Sequence, residues 1–279
     1  MNKKWVIYCP NIREHLRLYI VGLIKKISSY KDLLLVFIWR EFTIRYRQSI
    51  FGILWAILQP LSMMLLFTFL FTVVIKHKVS NYPYVLFFYS GILPWSFFSS
   101  ALNFAITSLV NHRDLIIKIY FPREIIPIAG VAVSFIDFCI ASIVYIFLLS
   151  AYKIIITPDI FIVFPLLFLL FMFTVSVSLL FAALNVYFRD VKLVSGFLLQ
   201  LWFFATPVFY SVDNISIKWK IILFLNPLTF ITEGFRRVTL EARGVVWWQF
   251  LFELVIISIF YNLCYWIFNK IERKMADVI

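Results

Sequence analysis

Two carboxylates, Asp137 and Glu253, stand inside long stretches that carry no other charge. An ionised side chain at the centre of a membrane helix costs on the order of 2.5–3.5 kcal/mol, so it is kept only against protein, a partner or water. Such an acid can serve a proton relay or a hydrogen bond between helices. Neither stretch holds a Lys, Arg or His to complete a relay. A helix–helix hydrogen bond, with Asp137 a candidate for the protonated form, is therefore the expected role. The chemistry of nucleophiles and metals is poorly served. His15, His77 and His112 have no acid cluster beside them, and Cys9, Cys139 and Cys264 are far apart, without ligand or disulfide spacing. No metal site and no bound cofactor are expected. The seven glycines include no Gly-Lys pair, so a phosphate-cradling loop of the G-x-x-x-x-G-K-[ST] type is excluded. Phosphate chemistry of another kind is open to Arg40, Arg45, Arg47 and Arg189, because a guanidinium fork matches phosphate oxygens.

The elements that must position these groups are apolar and long. Of 279 residues, 63% are hydrophobic and 14% charged, with a mean hydropathy of +0.95. Soluble domains are about 45–50% apolar, so the excess points to a bilayer. Six apolar runs, uncharged apart from Asp137 and Glu253, are long enough to cross as helices: Phe51–Ile75, Tyr84–Val110, Ile125–Ala151, Ile160–Tyr187, Leu193–Val212 and Val246–Phe268. Helices are required because lipid offers backbone groups no partner. With the N-terminus inside, the inner segments 1–50, 111–124, 188–192 and 269–279 hold ten, three, two and three basic residues, 18 of the 26. Both termini are thus expected in the cytoplasm. The net charge of +12 follows from this asymmetry and does not call for nucleic acid. No cleavable leader is read in the first thirty residues. The chain divides into a cytoplasmic segment, 1–50, and a membrane domain, 51–279.

Two segments are more than loops. Over Tyr30–Gln48 a helical wheel groups Leu35, Ile38, Trp39, Phe42 and Tyr46 on one face and Arg40, Glu41, Arg45 and Arg47 on the other, with Glu41 and Arg45 a favourable i,i+4 pair. This predicts an amphipathic helix lying in the membrane interface. It joins the first run with no linker, and Gln59-Pro60 marks where that span can bend. The outer stretch 213–245 is too apolar for a solvated loop. Asn226-Pro227 reads as a helix cap followed by proline in the first turn, and Leu228, Ile231, Phe235 and Val238 follow at helical spacing. Two short helices dipping into the outer leaflet and back are expected there.

The stretches "GILWAILQPL", "SGILPWSFFSSALNFAITSLVNHRDLIIKIYFPREIIPIAGV", "LNVYFRDV", "TPVFY" and "LNPLTFITEGFRR" together resemble the membrane subunit of ABC-2 type polysaccharide exporters, which move O-antigen, capsule and teichoic acid chains. The resemblance runs from about Lys31 to the last span. It implies an all-α integral membrane protein of the bacterial inner membrane, with six spans, the interfacial helix and a re-entrant pair between the fifth and sixth. It also implies a homodimer with two cytoplasmic ATPase subunits, which carry ATP and Mg2+, and a glycan on a lipid anchor as the transported molecule.

Coupling to the ATPase is then expected through Arg40, Glu41, Arg45 and Arg47 of the interfacial helix and through the inner loop Asn111–Glu124. In that loop His112, Arg113, Asp114, Lys118, Arg123 and Glu124 surround Leu115, Ile116, Ile119 and Phe121, a charged rim on an apolar centre. Rings suit a sliding glycan, so Trp55, Phe88, Tyr89, Trp95, Phe97, Phe98, Phe203, Phe204, Phe209 and Tyr210 are the channel candidates. Arg40, Arg45, Arg47 and Arg189 are the candidates to receive a lipid pyrophosphate. Two other functions compete: export of a drug or small lipid by the same superfamily, and membrane-bound glycosyl or acyl transfer. The second needs catalytic acids or a histidine facing a donor, and the only dense charge here is basic.

Overall fold

The computed structural model describes residues 30–47, 49–76, 82–155, 157–212, 215–273 and 275. Cys9, His15, His77 and most of the segment 1–50 lie outside the described residues. Among those described, all regular structure is helical: α1 Lys31–Tyr46, α2 Trp55–Phe69, α3 Tyr84–Asn111, α4 Arg113–Lys118, α5 Ile125–Ala151, α6 Val163–Tyr187, α7 Asp190–Ala205, α8 Ile217–Phe224, α9 Pro227–Thr239 and α10 Trp247–Glu272.

Helix α3 is the axle of the fold. It packs against α2, α5, α6, α7 and α9, and Leu86, Phe88, Tyr89, Leu93 and Phe98 are fully enclosed. A helix that is apolar all round must be surrounded in this way. Polar side chains tie the axle to its neighbours. The carboxamide of Asn185 on α6 donates to the Ile106 carbonyl at 2.8 Å, and the Tyr89 hydroxyl donates to that of Ala141 at 3.1 Å. Helix α2, by contrast, buries only Pro60 and Met64.

Five helical stretches are long and apolar enough to cross a membrane among the described residues: Gly52–Val74, Tyr84–Asn111, Ile125–Ala151, Pro158–Tyr187 and Trp247–Glu272. Each coincides with an expected run to within a few residues. The fifth run, expected over Leu193–Val212, differs. Helix α7 starts earlier, at Asp190, and stops at Ala205 after 16 residues. At 1.5 Å per residue it is about 24 Å long, short of a hydrocarbon core of about 30 Å. Pro207 explains the stop, since the residue before a proline is pushed out of helical geometry; Thr206 has ψ 134°.

The join between α1 and α2 turns on Gly52, whose φ of +51° is open to glycine because it has no Cβ. Helix α2 continues unbroken through Pro60, and its departure from α geometry comes later, in a π-helical turn at Leu70–Val74. Within 215–245 lie the two short helices expected, α8 and α9. Leu228, Ile231, Phe235 and Val238 of α9 are all buried.

Candidate functional site

Helix α1 packs on α5, but with a different face than its wheel suggested. Phe37 and Glu41 are buried, while Leu35 and Trp39 are 61% and 72% exposed. The stripe facing protein is Leu34, Phe37, Ile38, Glu41 and Arg45, and it carries two of the charges expected to face water. Arg45 is ion-paired with Asp137 and donates to Ser134 Oγ at 3.4 Å. Its guanidinium lies over the Phe104 ring, 4.5 Å from the centroid. The Tyr46 hydroxyl donates to the other Asp137 oxygen at 2.5 Å. Burial, reinforced by that bond, pushes the Tyr46 phenol up to about 12, so it remains a donor at neutral pH.

Asp137 therefore has a cation after all. It comes from a neighbouring helix and not from the acid's own apolar run. The expected Glu41–Arg45 pair gives way for the same reason: Glu41 Oε1 lies 3.0 Å from His112 Nε2 instead. A helical wheel says which side chains share a face. Which face turns inward depends on what the neighbour offers, and α5 offers a carboxylate that needs a cation. Arg40 and Arg47 stay exposed.

The loop Asn111–Glu124 is anchored at both ends. His112 directs Nδ1 at the Ser108 carbonyl, 2.7 Å away, and its ring meets Phe37 edge-on at 5.8 Å. Phe121 stacks on the same Phe37 at 5.8 Å. Arg123 donates from its backbone to Glu272 Oε1 at 3.1 Å, and from Nη1 to the Glu272 carbonyl at 2.5 Å. Of the residues expected on the exposed surface, His112, Ile116, Phe121 and Glu124 are buried, and Leu115 and Arg123 partly so. Ile116 lies one turn after His112 and turns inward with it. The outward surface is Arg113, Asp114, Ile117, Lys118, Ile119 and Tyr120, the last 96% exposed. Ile117 and Tyr120 were missed. Ile117 follows Arg113 at i,i+4, which was the available signal.

The aromatic candidates separate into two sets. Phe88, Tyr89, Trp95, Phe97 and Phe98 of α3 are buried, and Phe98 meets Trp202 at 4.9 Å and Phe173 at 5.7 Å. These rings fill the contacts of α3 with its neighbours and present no face to a passing molecule. Phe203, Phe204, Phe209 and Tyr210 form a second, more accessible group. Phe209 lies 5.7 Å from both Phe203 and Phe204 and 5.0 Å from Tyr210. Phe67 of α2 joins it at 5.7 Å. Trp55, half exposed, sits at the opposite end of α2. Arg189 is exposed beside the start of α7.

This second group is braced by α9 and its cap residue. Asn226 caps α9 as its sequence suggests, its side chain accepting from the Leu228 amide at 3.2 Å. The same side chain accepts from the Trp202 indole and donates to Thr206 Oγ1, each at 3.0 Å. Asn226→Ala is expected to cost about 1–2 kcal/mol, the upper part of the range for a lost cap, because two further bonds go with it. A lower melting temperature in detergent, with Asn226→Asp restoring part of the loss, is the measurement. Arg236, unremarked in the sequence, is 3% exposed. It donates to Ser90 Oγ at 3.3 Å, to the Pro207 and Val208 carbonyls at 3.0 and 3.1 Å, and to Glu233 at 2.5 Å. Glu253 is buried on α10, with Oε2 lacking a hydrogen-bond partner among the described residues. No group of three His, Cys, Asp or Glu near enough to hold a metal occurs among the described residues.

Comparison with known proteins places this geometry. The family model for ABC-2 type transporters matches residues 32–240, from the start of α1 to the end of α9. An O-antigen export system permease protein of Myxococcus xanthus is 33% identical over 226 residues, which cover 80% of this chain and 86% of that protein. One from Klebsiella pneumoniae is 29% identical over 252 residues, 89% of this chain and 95% of that protein. A capsule polysaccharide export inner-membrane protein of Neisseria meningitidis is 27% identical over 205 residues, 71% and 75% of the two chains. The matched region takes in the Arg45–Asp137 pair, the anchored loop Asn111–Glu124 and the Arg236 helix alike, and the chain belongs to the ABC-2 type transporter family.

Proposed function

We propose that the chain is the permease subunit of an ATP-driven exporter that moves a lipid-linked polysaccharide, of the O-antigen or capsule kind, across the bacterial cytoplasmic membrane. The supporting observation is the similarity to permeases named for O-antigen export over 80–89% of this chain. In this reading two copies form a homodimer, and two cytoplasmic ATPase subunits hold ATP and Mg2+. Both termini are cytoplasmic. Helix α1 lies in the interface, with Leu35 and Trp39 toward lipid. Helix α7 and the segment 206–212 after it make the remaining crossing, and α8 and α9 form the re-entrant pair in the outer leaflet.

The residues take on divided roles. Arg113, Asp114, Ile117, Lys118, Ile119 and Tyr120 present the surface for the ATPase. His112, Phe121, Arg123 and Glu124 hold that surface to the membrane domain, and Glu41 and Arg45 hold α1 beside it. Arg40, Arg47 and Arg189 are left free to meet a lipid pyrophosphate, while Arg45 is engaged by Asp137. Phe203, Phe204, Phe209 and Tyr210, with Trp55 at the inner end, line the route of the glycan, because flat rings contact sugar C–H faces without trapping the hydroxyls.

Deleting the coding sequence in its host and assaying surface glycan tests the reading. The expected result is lipid-linked polymer accumulating inside the cell, with surface display restored by the wild-type chain only when its ATPase is co-expressed. Undiminished surface glycan, or transport by the purified chain alone in vesicles, would overturn it.

A further inference from the structure

The segment 207–210, after α7, runs without helical backbone hydrogen bonds beside a packed core. Thr206 to Tyr210 follow the end of α7, and within this segment the Val208 amide reaches only back to the Thr206 carbonyl, at 2.7 Å. Irregular backbone away from water survives only where protein satisfies it. The carbonyls of Pro207 and Val208 are satisfied by one side chain, the guanidinium of Arg236, and that of Phe209 accepts from the Tyr84 hydroxyl at 3.1 Å.

Arg236 is itself fixed. It lies flat over the Phe87 ring, 3.7 Å from the centroid, with Nε on Ser90 Oγ and Nη1 on Glu233. The passage it needs is kept open by Gly91, where an added Cβ would sit 2.8 Å from Arg236 Nη2 and 2.8 Å from the Val208 carbonyl oxygen. A cation with a planar five-donor fork can serve α3, α9 and the irregular segment at once; an ammonium offers three donors from a single point.

We propose that Arg236 is a positioning residue for transport: by clamping the Pro207 and Val208 carbonyls to α3 and α9 it sets the pose of the rings that follow and precede them, Phe203, Phe204, Phe209 and Tyr210. It touches no substrate. Its effect reaches the transported molecule through the backbone that carries those rings. What the rings do in transport rests on the exporter reading above; that Arg236 holds the segment does not.

The test uses the complex of the chain with its ATPase in nanodiscs and compares Arg236→Lys with wild type. Amide exchange over 206–210 is expected to accelerate at least about tenfold, while peptides from the enclosed part of α3 keep their protection. Export is expected to fall by a similar factor, with ATP hydrolysis per complex held within about twofold, since the docking surface is untouched. Should Arg236→Lys fail to assemble, Ser90→Ala removes a single acceptor and keeps the charge, and a smaller acceleration at 206–210 is expected. Unchanged exchange in the variant that assembles overturns the clamp. Faster exchange with normal export overturns its role in transport. If the wild-type complex exports no polysaccharide, the exporter reading fails, and the exchange data still decide whether Arg236 holds the segment.

Discussion

Arg45→Leu is expected to destabilise the protein by about 3–5 kcal/mol, because it strands Asp137 in a site from which water is largely excluded. The two side chains are 17% and 15% exposed, so solvent screens the pair only weakly. Tyr46 still donates to the carboxylate in the variant, but one neutral donor does not balance a charge. The cost belongs to the orphaned acid more than to a lost attraction, and this makes a sharp forecast. Arg45→Leu combined with Asp137→Leu should recover most of the loss, since exchanging a buried ion pair for apolar side chains is often neutral or better. Melting curves in detergent for both single variants and the double variant measure the coupling. A double variant as unstable as the sum of the singles would mean that each residue acts through other partners. Arg45→Glu, which sets two acids against each other, should be worse than Arg45→Leu.

Ile117→Glu combined with Tyr120→Glu is expected to abolish co-purification of the ATPase while leaving the melting temperature within a degree or two. Tyr120 is 96% exposed and Ile117 53%, so their replacement removes little internal contact. Exposed apolar and aromatic side chains at the centre of an interface each carry about 2 kcal/mol or more, and two together take a micromolar partner beyond detection. Ile116→Glu is the contrasting variant. That side chain is 4% exposed, so its substitution should lower stability as well as binding. Retention of the ATPase by the Ile117/Tyr120 variant would move the docking surface elsewhere.

Much of this was legible in the sequence. Apolar runs matched, to within a few residues, five helices long and apolar enough to cross a membrane, because run length and hydropathy are local properties. The Asn226-Pro227 cap and the buried positions of α9 were legible because capping and helical spacing are local. Helix α7 is short because Pro207 ends it, a local stop that a hydropathy window does not weigh. The other errors share a physical origin. The α3 rings were taken for channel lining because ring identity does not say whether a face is covered. Asp137 seemed unpartnered because its cation is 92 residues away and in a segment judged to face water. In each case the missing information was which surface another helix claims, and that is a property of tertiary packing.

The loop Asn111–Glu124 is fastened on one side to α1, through Phe37 and His112, and on the other to the last turn of α10, through Arg123 and Glu272. It joins them like a yoke, so a load applied at the exposed Tyr120 would be shared between the first and last described helices. In the exporter reading, one push on this short segment would reach the first and last described helices together.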